Sequence, residues 1–168
     1  MGSVTGEGLQ LRVPAHHVSR RAILFWTVRA LWGWLVLVVG QVVWLVLDDT
    51  ARGWRVLALI VTVALAAAHL VVMPRWRYRV HRWEATPTAV YTQSGWFNQE
   101  RRIAPLSRIQ TVDMERGPLE QVFRLANVTV TTASAAGPLH INGLDRSTAE
   151  RLVHDLTVAT EQVPGDAT

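Results

Sequence analysis

The 168-residue sequence predicts an α+β membrane protein: a two-helix transmembrane hairpin, then an antiparallel β-sheet or barrel of six to seven strands, capped by a C-terminal α-helix. Three observations carry that prediction. Two long uncharged runs occupy the first half, the pattern then switches to period-two segments broken by turn residues, and one amphipathic stretch comes last. Composition agrees: 49% of residues are apolar and 18% charged, which excludes a disordered chain. With no cysteine, disulfide scaffolds, thiolate metal sites and cysteine nucleophiles are excluded together.

The first run, Leu31 to Leu47, is seventeen residues without a charge, with Ile23, Leu24, Phe25 and Trp26 just upstream. As a helix it covers roughly 26 Å, close to the thickness of a bilayer's hydrocarbon core. The second, Val56 to Met73, is eighteen residues whose polar members are Thr62 and His69, and Pro74 is expected to end it. Neither run has a polar face, so a pair of buried helices in a soluble protein is disfavoured. A cleaved signal peptide fits poorly as well, because no Ala-x-Ala site follows and a second span comes directly after. The expected organisation is a flexible basic tail over 1–19, a hairpin over 20–74 with spans at about 23–47 and 54–73, a β-rich module over 75–161, and a flexible tail over 162–168.

Charge sets the expected orientation. Residues 1–82 hold ten arginines against three acids (+7), whereas residues 83–168 hold seven against ten (−3). The basicity therefore serves the membrane half, and nucleic-acid binding is not expected. Arg12, Arg20, Arg21 and Arg29 precede the first span and Arg75, Arg77, Arg79 and Arg82 follow the second, while the connecting loop has Arg52 and Arg55 beside two aspartates. The positive-inside rule places both termini in the cytoplasm. Trp26, Trp32, Trp34, Trp44, Trp54 and Trp76 fall near the span boundaries and are expected to anchor in the interfacial belt. Arg29 can reach the inner headgroups along its own stem.

Two polar residues fall at matching depth. Gln41 lies six residues before Leu47 and Thr62 six after Val56, which predicts an interhelical hydrogen bond worth about 1 kcal/mol or less. Gly33 and Gly40 on one helix, with Ala64 and Ala68 on the other, offer small surfaces for close packing or for a homo-oligomer.

Beyond the spans, strands are expected at Arg77–Ala85, Ala89–Ser94, Phe97–Ala104, Ile109–Arg116, Asn127–Thr132 and Leu139–Asn142, with a turn of helix near Leu119–Phe123. Thr86-Pro87, Ser94-Gly95, Pro105, Gly117-Pro118 and Gly137-Pro138 supply the turns. Ser147 and Glu150 read as a capping box ahead of a helix whose stripe is Ala149, Leu152, Val153, Leu156 and Ala159. Strands followed by a plugging helix are the architecture of a pleckstrin-homology-like domain.

The motifs carry a family resemblance. Gly95-Trp96-Phe97, then Ile103 through Val112 (IAPLSRIQTV), then Gly117 through Ala126 (GPLEQVFRLA) and Val128 through Ala133 (VTVTTA) resemble the YdbS-like bacterial membrane proteins with a PH-like domain. The resemblance spans roughly residues 20–160 and departs at Arg124, where the family usually has glycine. It implies a membrane-flanked module found alongside related members.

No catalytic constellation is visible. His140 alternates with Leu139 and Ile141 and is expected to point outward; His16-His17 lack the spacing of a metal pair; Ser107 has no patterned partner. Neither an enzyme nor a cofactor is expected. The first strand-to-strand loop, Glu84 to Thr88, has no basic residue, which disfavours inositol-phosphate binding of the usual PH kind. What remains is attraction of Arg75, Arg77, Arg79 and Arg82 to anionic lipids of the inner leaflet, about 1 kcal/mol each. Gln110, Thr111 and Asp113 offer a partner surface. The expectation is a scaffold or assembly subunit in contact with other membrane proteins, related PH-like members among them. The rival expectation is a sensor that binds a lipid or a membrane-active small molecule through the hairpin and adjoining arginines.

Overall fold

Two helices and two small sheets share one hydrophobic core. The computed structural model describes residues 13–48, 50, 52–95, 98–135 and 137–162. Residues 1–12 and 163–168, most of the two expected tails, lie outside the described residues, as do Trp96 and Phe97.

Helix α1 runs Arg21–Leu47 and α2 runs Arg52–Val80; both are long and apolar enough to cross a membrane. They pack antiparallel along a seam that repeats every seven residues on each helix, the period of a left-handed pair. Trp34 Nε1 donates to His69 Nδ1 at 2.9 Å, and Gln41 Nε2 donates to Thr62 Oγ1 at 2.9 Å. One heptad further on, Arg55 donates to both the carbonyl and the carboxylate of Asp48. Positions 34, 41 and 48 on one side thus meet 69, 62 and 55 on the other. Any one-residue slip would strand all three pairs in an apolar setting, so the ladder pins the hairpin's register. Gly33 and Gly40 take no part: both are exposed, and an added Cβ at either would meet nothing within 4 Å.

Helix α2 does not stop at Pro74. The missing N–H costs one hydrogen bond, but Pro74 is buried and Arg75 Nη1 donates back to the Val71 carbonyl at 2.7 Å. The alternation Arg75-Trp76-Arg77-Tyr78-Arg79, which mimics a strand, is therefore helical, and the strand expected from Arg77 begins at Arg82.

The first sheet orders β1 (His16–His17), β2 (Arg82–Ala85), β3 (Ala89–Ser94) and β4 (Glu100–Pro105), each antiparallel to its neighbour. Strand β1 corrects the expected flexible tail: His17 stacks on Tyr78 at 5.2 Å, His16 lies against Trp83 at 5.5 Å, and Pro14 and Val18 are buried. The second sheet orders β5 (Ile109–Glu115), β6 (Leu125–Thr132) and β7 (Leu139–Asp145). Strand β7 continues past its expected end at Asn142, because Gly143 (φ +80°) sits opposite the register shift between Ala126 and Val128 and acts as a bulge. A short helix, α3 (Pro118–Val122), joins β5 to β6.

Helix α4 (Arg146–Gln162) closes the module with Ala149, Leu152 and Leu156 against the core. It starts two residues earlier than the capping-box reading, which made Ser147 the cap and Thr148 the first helical residue. Ser147 is inside the helix, and Glu150 accepts from Arg146 Nε at 2.6 Å instead of bracing the terminus.

Candidate functional site

The chemistry-bearing residues gather where the hairpin meets the module. The first turns of α1 are amphipathic in a way its later turns are not: Ala22, Phe25 and Trp26 are buried in the same cluster as Val90, Leu125, Val128, Leu144 and Leu152. Phe25 meets Phe123 edge-on at 6.0 Å. Ser19 fastens the entry to α1, its backbone N–H donating to the Gly143 carbonyl at 2.9 Å and its hydroxyl to Asp145 Oδ1 at 2.9 Å. Gly143 is required twice over: its φ is positive, and a Cβ there would come within 3.0 Å of the Ala22 Cβ. Asn127 supports the bulge by accepting from the Gly143 N–H at 3.0 Å.

Trp26 is the centre of this junction and is only 3% exposed, so it is a core residue and not an interfacial anchor. Arg77 lies over its ring at 4.6 Å and His81 packs against it at 5.3 Å. His81 closes the end of α2, its backbone N–H and its Nδ1–H both donating to the Arg77 carbonyl, at 3.0 and 2.8 Å. Burial first, and the Arg77 charge second, push the imidazole down to about 4, against the pull of that carbonyl hydrogen bond. His81 is therefore neutral at pH 7.

The other tryptophans divide. Trp34 serves the interhelical seam through His69. Trp44 and Trp54 meet edge-on at 5.4 Å at the loop end of the hairpin, with Arg55 over Trp44 at 4.6 Å. There the hydrogen bonds from Arg55, then from Thr50, hold the Asp48 carboxyl well below the usual carboxylate range. Trp32, Trp54 and Trp76 keep about half or more of their surface exposed, as a lipid-facing belt requires.

The four juxtamembrane arginines do not form one clamp. Arg75 turns back to its own helix, Arg77 is held on Trp26, Arg79 is exposed, and Arg82 reaches the Pro14 carbonyl from β2 at 3.5 Å. Arg77 does share a pocket of about 140 Å³ with Arg29, Glu120 and Asn127.

Among the described residues strand β5 is an edge, paired to β6 alone. Gln110, Thr111 and Asp113 are exposed along it, with Thr111 Oγ1 donating to Asp113 Oδ2 at 3.0 Å. The alternate residues fill the core less than the period suggests: Val112 is half-buried, and Met114 is exposed because the shift at Gln110 twists the strand outward. Among the described residues no group of three or more His, Cys, Asp or Glu is placed to hold a metal ion.

Hairpin and module are matched as one unit by a single sequence family, described as "Bacterial PH domain", over residues 23–158. The chain belongs to that family. It is also 36% identical over 81 residues to the transmembrane protein YdbS of Bacillus subtilis (strain 168), a match covering 48% of this chain. The chain spans about half (50%) of the length of that relative. No solved structure matches it. The family's extent fits the geometry, since a boundary drawn at Pro74 would cut through the core that α1 completes.

Proposed function

We propose that this bacterial PH-domain protein is a non-enzymatic scaffold or assembly subunit of the cytoplasmic membrane. In this reading both termini and the PH-like module lie inside and the Asp48-to-Arg52 connection lies outside, as the arginine bias favours. The observation that carries the reading is the burial of Ala22, Phe25 and Trp26 in the module's core. A module tied to its anchor by a flexible linker samples many orientations, whereas one that shares a helix with its anchor presents a fixed face at a fixed height. Fixed geometry suits docking between partners in the same membrane, where high local concentration lets weak contacts suffice. The exposed Arg75 and Arg79 add attraction to an anionic inner leaflet, about 1 kcal/mol each.

The face offered is the open edge of β5, where an extended segment of another membrane protein, such as a related PH-like member, adds a strand. Photo-crosslinking in intact cells from a reactive residue at Asp113 tests this. The expected result is a discrete adduct that disappears with Thr111→Lys, which places a charge on the open edge. A chain that yields no adduct and purifies in mild detergent as a lone monomer would contradict the assembly role.

A further inference from the structure

Four arginines from four separate segments line one basin of about 870 Å³. Arg21 comes from the first turn of α1, Arg116 from the end of β5, Arg124 from the turn into β6, and Arg146 opens α4. Two carboxylates share the lining, Asp145 and Glu150, so the basin keeps an excess of two positive charges.

The carboxylates are already engaged. Asp145 accepts from the Ser19 hydroxyl at 2.9 Å and faces Arg21 at 3.5 Å, and Glu150 is taken by Arg146 Nε at 2.6 Å. The guanidiniums are not exhausted. Arg116 donates through Nε to the Leu125 carbonyl at 3.1 Å, which leaves its terminal nitrogens. Arg124 makes no hydrogen bond or ion pair through its side chain among the described residues. It also holds φ +55°, a backbone region that costs a non-glycine residue free energy, so a charged side chain is kept where glycine would be easier. The first turn of α4 adds backbone N–H groups beside Ser147 and Thr148.

We propose that this basin binds a phosphorylated anion carrying about two negative charges. A phosphomonoester has about −1.5 to −2 at pH 7, which matches the excess, and guanidinium forks hold its oxygens in bidentate pairs. A monocarboxylate would leave one charge unmatched. Arg21 lies ten residues before Leu31, roughly 15 Å along α1 from the strictly apolar run. That depth admits a soluble phosphate compound or the phosphate of a lipid headgroup that extends from the bilayer. The inference goes beyond the assembly role and does not depend on it.

The test uses the full chain in nanodiscs. In the first arm the lipid is phosphatidylcholine alone and inorganic phosphate is titrated in by calorimetry. In the second, phosphatidylinositol 4-phosphate, whose phosphomonoester stands out from the bilayer, is added to the disc and lipid retained on the protein is counted by native mass spectrometry. Arg124→Gly removes the free guanidinium while easing the backbone, so its melting temperature should not fall; Arg124→Gln checks that charge is what matters. Inorganic phosphate binding that weakens about tenfold or more in both variants and declines with salt supports a soluble ligand. Retention of the phosphorylated lipid that is lost in both variants, without inorganic phosphate binding, supports a headgroup. No binding in either arm, or binding that both variants leave unchanged, overturns the proposal.

Discussion

The two halves of α1 are built from the same residue types and do opposite things. Before Arg29 one apolar face is interior, with Phe25 6% exposed and Trp26 3%, while Leu24 on the outer face is 57% exposed. After Leu31 the apolar side chains face outward: Trp32 is 61% exposed and Val36 72%. The first half buries its surface against β6, β7 and the end of α2, while the second leaves it for lipid. An apolar residue in a membrane protein therefore says nothing by itself about whether lipid or protein surrounds it. What separates the halves is the company each keeps: Gly143, Asn127 and Ser19 around the first, and a ladder of three polar pairs spaced seven residues apart along the second.

Paired tryptophan replacements break the comparison most sharply. Trp26→Ala should destabilise the protein by about 3–5 kcal/mol, because it empties a packed junction. Trp32→Ala should change stability by under about 1 kcal/mol, since its ring exchanges lipid contact for lipid contact. Thermal unfolding in one detergent measures both, and equal effects would mean that α1 has no interior half. Gly143→Val comes next. With a positive φ and the Ala22 Cβ in the way, it should cost about 2–4 kcal/mol and expose the link between hairpin and module to protease.

Acid should loosen the same junction. His81 stays neutral in the folded protein down to about 4, whereas the unfolded chain takes up a proton near the ordinary value of 6.5. Its contribution is fully present above about pH 6.5 and is lost as pH falls toward 4, by up to about 3 kcal/mol. His17, lowered by burial and then by Arg82, acts in the same direction. Melting temperature followed from pH 7.5 to 4.5 should fall for the native protein and fall less for His81→Gln. The smallest effect belongs to the outer half: Gln41→Leu and Thr62→Val should each cost about 1 kcal/mol or less, and the double variant little more than either. Fully additive losses would show that the two side chains do not act as a pair.

How much of this could be read from residues alone follows from the same division. The spans were legible because uncharged length is a property of composition, and the meander because alternation and turn residues are local. The depth of Gln41 and Thr62 was legible as well, since an antiparallel hairpin has one register. Stepping that register by seven residues would have found Trp34 with His69 and Asp48 with Arg55. Trp26 was assigned to the interface because proximity to a span end was the available cue, while its burial depends on Gly143 and His81, more than fifty residues away. Pro74 marked a helix end only because its lost hydrogen bond is local; the packing that tolerates it is not. Strand β1 carried no alternation over two residues, and its pairing with β2 is entirely long-range. The arginine basin escaped for that reason too: its four members are scattered through the chain, and only the fold brings them together.

The proposed arrangement holds the module at the inner face of the membrane by a helix that it shares with its anchor. Because the chain has no cysteine of its own, single cysteines placed at Thr50 and at Asp113 can be probed with a membrane-impermeant maleimide on intact cells. The account predicts labelling of Thr50→Cys on intact cells and of Asp113→Cys only after permeabilisation. The reverse pattern, or labelling of both from outside, would contradict it.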